Sequence, residues 1–397
     1  MNSQRPLDGL RVVEMGALIA GPFCSKLLGE FGAEVIKIEP PGEGDPLRKW
    51  RYMKDGTSLW WHVQSRNKKS VTVDLRKPEG QRIAKALALT ADIVVENFRP
   101  GTLEQWGMGY DVLSTQKPGL ILVRISGYGQ TGPYRERPGF GVIGEAMGGL
   151  RYITGTPDRP PSRVGVSIGD TLSALYGVIG ALMALEARRK TGRGQVVDVA
   201  LYESVFSVME STLPEFDVFG AIRERTGSIL PGIAPTSAYR CNDGTYMLIA
   251  ANGDSIFRRL CLAMGRSDLA QDAALEHNDG RAARQLWLDG EIEAWTSQHS
   301  PDEVLQAMEA ASVPASKIYS IADIAADPHY AAREMIREIA LASGDRVKVP
   351  AVVPKLGDTP GDFAGGGPRL GEHTDAVLRS LGCDDAELAQ WRRDGVI

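Results

Sequence analysis

The first forty residues constrain this chain more than any other stretch. Leu10–Met15 is a short apolar run containing valines, and it leads into Gly16–Gly21. Pro22 then opens a helix-like stretch, Phe23–Phe31, that stops at Gly32. Glu34–Glu39 follows, alternating apolar and polar side chains, before the turn-rich Pro40–Pro46. Strand, helix and strand in that order predict a parallel α/β layer. The pattern continues with a strand at Ser70–Leu75, a helix at Glu79–Leu89 and two Val/Ile-rich buried strands, Ala91–Asn97 and Leu120–Ile125. The first βα turn is Gly16-Ala-Leu-Ile-Ala-Gly21. A dinucleotide fingerprint needs G-x-G-x-x-G at that point, so NAD and FAD are set aside.

A second organising feature is the small-residue helix predicted from Thr171 to about Lys190, with Ala174, Gly177, Gly180, Ala181 and Ala184. It is apolar on nearly all faces, so it is expected to be covered on all sides, in a core or by another subunit. Arg188, Arg189 and Lys190 in its last turn, with Gly192 beyond, make a sound C-terminus. A strand at Gln195–Ala200 and a helix from Glu203 come next. Ile222–Pro235, rich in Gly, Pro and Thr, reads as a crossing between domains. Beyond it the expected elements are a strand Tyr246–Ala251, helices Ser255–Met264, Arg284–Thr296 and Pro301–Ala311, and a strand Ala315–Ser320. Val349–Pro368, with four prolines and five glycines, is a second loose crossing before a terminal helix from Glu372 to about Leu381.

Composition removes several classes of function. A length of 397 residues suits two or three domains. With 43% hydrophobic and 24% charged residues and a net charge of -5, the chain is an ordinary globular one without a basic surplus. Nucleic acid and polybasic membrane surfaces are therefore not expected partners. Cys24, Cys241, Cys261 and Cys383 are far apart, which predicts free buried thiols in a reducing compartment. The five histidines show no metal-ligand spacing, so no metal is expected. The N-terminus lacks a secretory core, and the longest apolar stretch, Leu172–Leu185, falls short of the roughly 20 residues of a spanning helix. A soluble cytoplasmic protein is the expectation.

The position that most invites chemistry is Asp170, in Val166-Ser-Ile-Gly-Asp-Thr, where a loop meets the small-residue helix. An aspartate there caps the helix by accepting backbone N–H bonds. The helix's positive end also keeps a carboxylate ionised, and an ionised carboxylate beside a glycine is a nucleophile toward an activated acyl group. Spacing alone does not choose between these roles.

A series of motifs runs along the whole chain. Near the start are Leu7-Asp-Gly-Leu-Arg-Val-Val-Glu14, Gly21-Pro22, Gly32 through Glu39, and Gly44-Asp45-Pro46. Asn67-Lys-Lys-Ser70, Asp74-Leu75 and Val95-Glu-Asn-Phe-Arg-Pro-Gly101 follow. Then come Gly127-Tyr-Gly-Gln-Thr-Gly-Pro-Tyr134, Arg137-Pro-Gly-Phe140, Thr154-Gly155, Gly169-Asp170 and Leu370-Gly-Glu-His-Thr374. Together, from about residue 6 to the end, they resemble CoA-transferase family III, the CaiB/BaiF family. That resemblance implies Asp170 as the nucleophile, forming an aspartyl anhydride and then an aspartyl-CoA thioester. It places coenzyme A at Ala20, Leu75, Arg76, Asn97, Phe98 and Arg99, of which Arg76 and Arg99 suit phosphate. Glu145 would lie near the reaction centre, and Asn252 and Gly253 would supply a shielding loop, with Asp254 alternatively capping an ordinary turn.

The resemblance is strongest to members that use succinyl-CoA as donor, with malate, citramalate or itaconate as acceptor. It rests on residues 138–155, Pro214–Gly220 and Ile233–Thr236. Arg151 and Arg163 are candidates, by type, for the acceptor's far carboxylate. Ile19 and the lack of a longer glycine loop depart from the formyl-CoA transferase branch, Gly141 stands where the resemblance implies an acidic residue, and Glu145 where many members carry glutamine. The same family contains α-methylacyl-CoA racemases, but Tyr128 stands where those carry histidine, and no histidine lies between His62 and His277. A non-catalytic CoA-binding protein is the remaining alternative. Acyl-CoA is then a substrate and no cofactor is permanently bound. The implied fold is α/β: a large Rossmann-like domain from both chain ends (1–221 and 340–397) and a smaller α/β domain (222–339), in an interlocked, ring-like homodimer.

Overall fold

The computed structural model describes residues 4–341 and 343–397. Its main sheet has six strands: β1 (Arg11–Glu14), β2 (Glu34–Glu39), β3 (Lys68–Thr72), β4 (Ile93–Glu96), β5 (Ile121–Ser126) and β6 (Val196–Ala200). They lie in the order β3-β2-β1-β4-β5-β6, and every pairing is parallel. This is the strand order of doubly wound nucleotide-binding sheets, and the chain reverses direction across the sheet between β1 and β4.

Both faces of the sheet are covered. On one, Val12, Val35, Ile93, Val95, Ile121 and Val123 pack under Ala20, Cys24 and Leu28 of the helix Ala20–Glu30 and under Ala174, Ala181 and Ala184 of the helix Ile168–Thr191. Small residues are needed there. A Cβ on Gly180 would meet Val197 at 2.4 Å, and one on Gly177 would meet the Cys24 sulfur at 3.1 Å. The opposite face joins Val13, Ile36, Ile38, Val71 and Leu122 to the helix Pro78–Thr90 and to Val377, Leu378, Leu388 and Trp391 near the chain end. The C-terminal segment is tied to β3 by hydrogen bonds: His373 N–H donates to the Ser70 carbonyl and Thr72 N–H to Thr374 Oγ1, both at 2.9 Å.

Although Glu34–Glu39 alternates apolar and polar residues, Lys37 and Glu39 are buried with their apolar neighbours. Ion pairs described below replace the lost water. The small-residue helix runs 24 residues, Ile168–Thr191, and is long and apolar enough by length and composition to cross a membrane. The chain's own core covers one side of it, and Leu175, Ile179, Leu182 and Met183 are exposed on the single chain, where the expectation allows another subunit.

Contacts divide the described residues into two units, one of residues 4–151, 164–222, 329–341 and 343–397 and the other of residues 152–163 and 223–328. This division differs from the expected one at residues 152–163, 222 and 329–339. The second unit holds an antiparallel sheet, ordered β9-β8-β7, of β7 (Thr236–Arg240), β8 (Tyr246–Ala250) and β9 (Ala315–Lys317). Its core gathers Tyr239, Met247, Ile249, Phe257, Leu260, Leu288, Ile292 and Val304. The strand β7 and the hairpin Ile336–Ala340/Arg346–Pro350 were not read from the sequence.

Candidate active site

The reversal between β1 and β4 leaves a crevice at the carboxyl ends of the strands, where such sheets bind ligands. The loop after β1 is fixed there from both sides. Asn97, just past β4, accepts the Ala17 N–H at 2.8 Å and donates to the Ala17 carbonyl at 2.9 Å. Leu18 sits in the left-handed region at φ 67° and donates its N–H to the Asp45 carboxylate. Lys37 binds Glu14 at 2.6 Å, Asp45 at 2.8 Å and the Gly16 carbonyl at 2.9 Å. Glu14 also takes Lys68 at 2.7 Å and the Ser25 hydroxyl. Arg48 and Ser70 both bind Glu39.

These charges are almost entirely out of water, so each survives only by being paired. Burial pushes the Glu14 carboxyl up, but Lys37 and Lys68 outweigh it and the net displacement is downward. Asp45 is likewise lowered, with Lys37 overcoming burial. Burial pulls Lys37 down, but Asp45, Glu14 and Glu39 raise it further. Lys68 has fewer carboxylates around it, and burial brings it to about 8.

A cleft of about 290 Å³ opens above this network, lined by Met15, Gly16 and Ala17 on one side and Leu75, Arg76 and Phe98 on another. Phe98 is braced edge-on by Trp106, with ring centroids 5.1 Å apart. Of the expected coenzyme A contacts, Leu75, Arg76 and Phe98 line this cleft and Asn97 clamps its wall. Ala20 is buried at the start of its helix, and Arg99 is exposed outside the cleft lining. Arg76 makes a forked pair with Asp74 at 2.8 and 3.1 Å while remaining 78% exposed.

Asp170 lies in the same unit. Ser167 is the N-cap of the long helix and makes no side-chain cap bond, so Asp170 is the third helical residue. The expected capping role is therefore corrected: Asp170 stands inside the first turn, where the helix end still favours its charge. Its carboxylate is laid against the Cα of Gly141, the first residue of the helix Gly141–Met147. A Cβ on Gly141 would be 2.1 Å from Asp170 Oδ2, and one on Gly169 would be 2.6 Å from the Gly141 carbonyl. The Gly141 departure noted in the sequence thus gives the carboxylate its room.

Glu145 is on the same short helix and only 1% exposed. Its Oε2 accepts from Arg151 Nη2 at 2.9 Å, whereas Oε1 and the Arg151 Nε are buried without a hydrogen-bond partner. Arg151 is therefore already paired. Arg163 is exposed and belongs to the second unit. Also in that unit, Asn252 and Gly253 follow β8, and Gly253, not Asp254, is the N-cap of the helix Asp254–Ala263. The wholly buried Arg281 holds this loop, binding the Asn252 carbonyl at 2.6 Å and Asp254 at 2.8 Å.

A model of CoA-transferase family III matches residues 7–374. The chain belongs to that family. It is 50% identical, over all of both chains, to a succinyl-CoA–D-citramalate CoA-transferase of Chloroflexus aurantiacus. It is 43% identical, over 99% of this chain and 98% of the other, to the beta subunit of a succinyl-CoA–L-malate CoA-transferase from the same organism. Among solved structures, a CaiB/BaiF family protein from Brucella suis superposes with a TM-score of 0.84 at 35% identity, covering 95% of this chain and all of that one.

Sequence reasoning about this family III chain missed the polar residues that act by holding others. Lys37 stood in a strand read only as alternating, and Arg281 was not singled out. The available signal for Lys37 was charge spacing, since Lys37 and Glu39 occupy alternate positions beside Glu14 on the neighbouring strand.

Proposed function

We propose that this enzyme moves coenzyme A from succinyl-CoA to a small dicarboxylic acid such as malate, citramalate or itaconate, with Asp170 as covalent carrier. One observation carries this reading. An aspartate inside a helix's first turn, laid against a Cα without a side chain, occurs in a chain half identical, end to end, to a citramalate CoA-transferase.

A carboxylate oxygen of Asp170 attacks the donor's thioester carbonyl carbon, the C–S bond breaks, and the CoA thiolate leaves a mixed anhydride. The thiolate attacks the Asp170 acyl carbon, expelling the donor acid and leaving an aspartyl-CoA thioester. The acceptor carboxylate attacks that thioester and releases thiolate again. The thiolate then takes the acceptor's acyl carbon and frees Asp170. Each step keeps an activated acyl bond, so water must be excluded. The crevice lined by Leu75, Arg76 and Phe98, with Asn97 and the nearby Arg99, is suited to the nucleotide end of coenzyme A. The enzyme works in the cytoplasm as an interlocked homodimer. The apolar face of the long helix, with Leu175, Ile179, Leu182 and Met183 exposed, and the exposed Phe216 and Phe219 supply a surface for the second copy.

The test is mass spectrometry of acyl-CoA products from succinyl-CoA and a panel of mono- and dicarboxylic acids, with wild type and Asp170→Ala. New acyl-CoA species from wild type alone are expected. Transfer surviving in Asp170→Ala would remove Asp170 from the reaction. Exchange of an α-proton of a branched acyl-CoA, without any transfer, would replace the reading by racemisation.

A further inference from the structure

We infer that Arg151, anchored by the buried Glu145, reads the far carboxylate of the acyl group and so sets the preference for diacids over monoacids. This deepens the reading just proposed and rests on it. The helix Gly141–Met147 gives the geometry. Its first residue touches the Asp170 carboxylate, and Glu145, four residues on, lies on the same helix face, one turn or roughly 6 Å along the axis. That separation is on the order of the span of a four- or five-carbon diacid. A diacid held by one end at Asp170 therefore carries its other end toward the Glu145–Arg151 pair.

The pair is built but incomplete. Glu145 is almost wholly buried and has one bond, from Arg151 Nη2 at 2.9 Å; its Oε1 has none. The Arg151 Nε is also buried without a partner, while the side chain as a whole remains 23% exposed. Buried polar atoms are normally satisfied: the Arg151 Nε–H asks for an acceptor such as a carboxylate, whereas Glu145 Oε1 asks for a donor, which a water supplies and an ionised carboxylate does not. A guanidinium has five N–H donors in a fixed fork. One of them fixed by Glu145 leaves others for a carboxylate arriving from the exposed side, in the forked geometry that arginine gives. The buried carboxylate then holds the fork at a set angle, and a monoacid brings nothing to complete it. Because succinyl-CoA carries the same free carboxylate as the acceptors, one subsite serves both halves of the exchange.

The experiment compares kcat/KM for succinyl-CoA against butyryl-CoA as donor, and for methylsuccinate against a monoacid of equal length as acceptor, in wild type, Arg151→Met and Arg151→Lys. Loss of a charge-assisted contact predicts that Arg151→Met lowers the diacid-to-monoacid ratio roughly 10- to 100-fold. Arg151→Lys, which keeps the charge and loses the fork, should fall between the two. A ratio that stays at the wild-type value, or rates that fall equally for both classes, overturns the inference. Should Arg151→Met not fold, Arg151→Lys is read alone: a ratio reduced severalfold supports the assignment and an unchanged one overturns it. A wild type that makes no acyl-CoA at all defeats the transferase reading itself, which keeps the two failures apart.

Discussion

Gly141→Ala isolates the relation between Gly141 and Asp170, the proposed nucleophile. The added methyl would sit 2.1 Å from Asp170 Oδ2 and 2.6 Å from its Cγ, closer than real Cβ atoms come to such neighbours. Gly141 does not adopt a left-handed conformation, so the alanine backbone is unstrained, and at a helical position alanine gains up to about 1 kcal/mol over glycine. The least costly relief is for the Asp170 carboxylate, the free end of a short side chain, to swing away by about 1 Å, a misplacement that costs on the order of 10²-fold in rate. That corresponds to about 2.7 kcal/mol of barrier. The expected result is kcat for CoA transfer reduced about 100-fold, thermal stability near that of wild type, and loss of the proposed aspartyl-CoA adduct when wild type and variant are compared by intact-protein mass spectrometry. A folded Gly141→Ala enzyme with kcat within a factor of about two of wild type would refute this placement of the carboxylate.

Three further outcomes follow from the site. Lys37→Met strands Glu14 and Asp45 in the core without their shared cation, and denaturant unfolding should show a loss of roughly 3–5 kcal/mol. Asn97→Ala removes both bonds to Ala17; it should destabilise by roughly 1–3 kcal/mol and raise KM for acyl-CoA severalfold more than it lowers kcat. His277 is raised from 6.5 by its hydrogen bond to Asp254. Its contribution is complete below that unperturbed value and fades as pH rises through the raised one. An NMR titration should place its midpoint above 6.5, and Asp254→Asn should bring it back.

The order of strands and helices in the first third was legible in the sequence, because apolar periodicity is set by the backbone repeat itself. Glu79–Leu89, for example, is realised as Pro78–Thr90. The helix Gly141–Met147 was not, since glycine-rich Pro138–Gly149 carries turn signals that only packing against the helix Ile168–Thr191 and the helix Leu201–Phe206 overrides. Asp170 was singled out from its neighbours and a family resemblance. Its place as third helical residue rather than cap depended on where the helix began, a matter of one turn that local sequence leaves open.

The sequence by itself determined the parallel α/β plan, the small-residue face that lets a helix lie close on the sheet, and the family. Strand order, and with it the crevice between β1 and β4, came only from the tertiary structure, because any permutation of parallel strands satisfies the same apolar pattern. The roles of Lys37, Arg281 and the Glu145–Arg151 pair likewise came from the fold. A charged residue reads as solvent-facing until the structure removes its water, and only then must its partners, tens or hundreds of residues apart in some cases, stand within hydrogen-bonding distance.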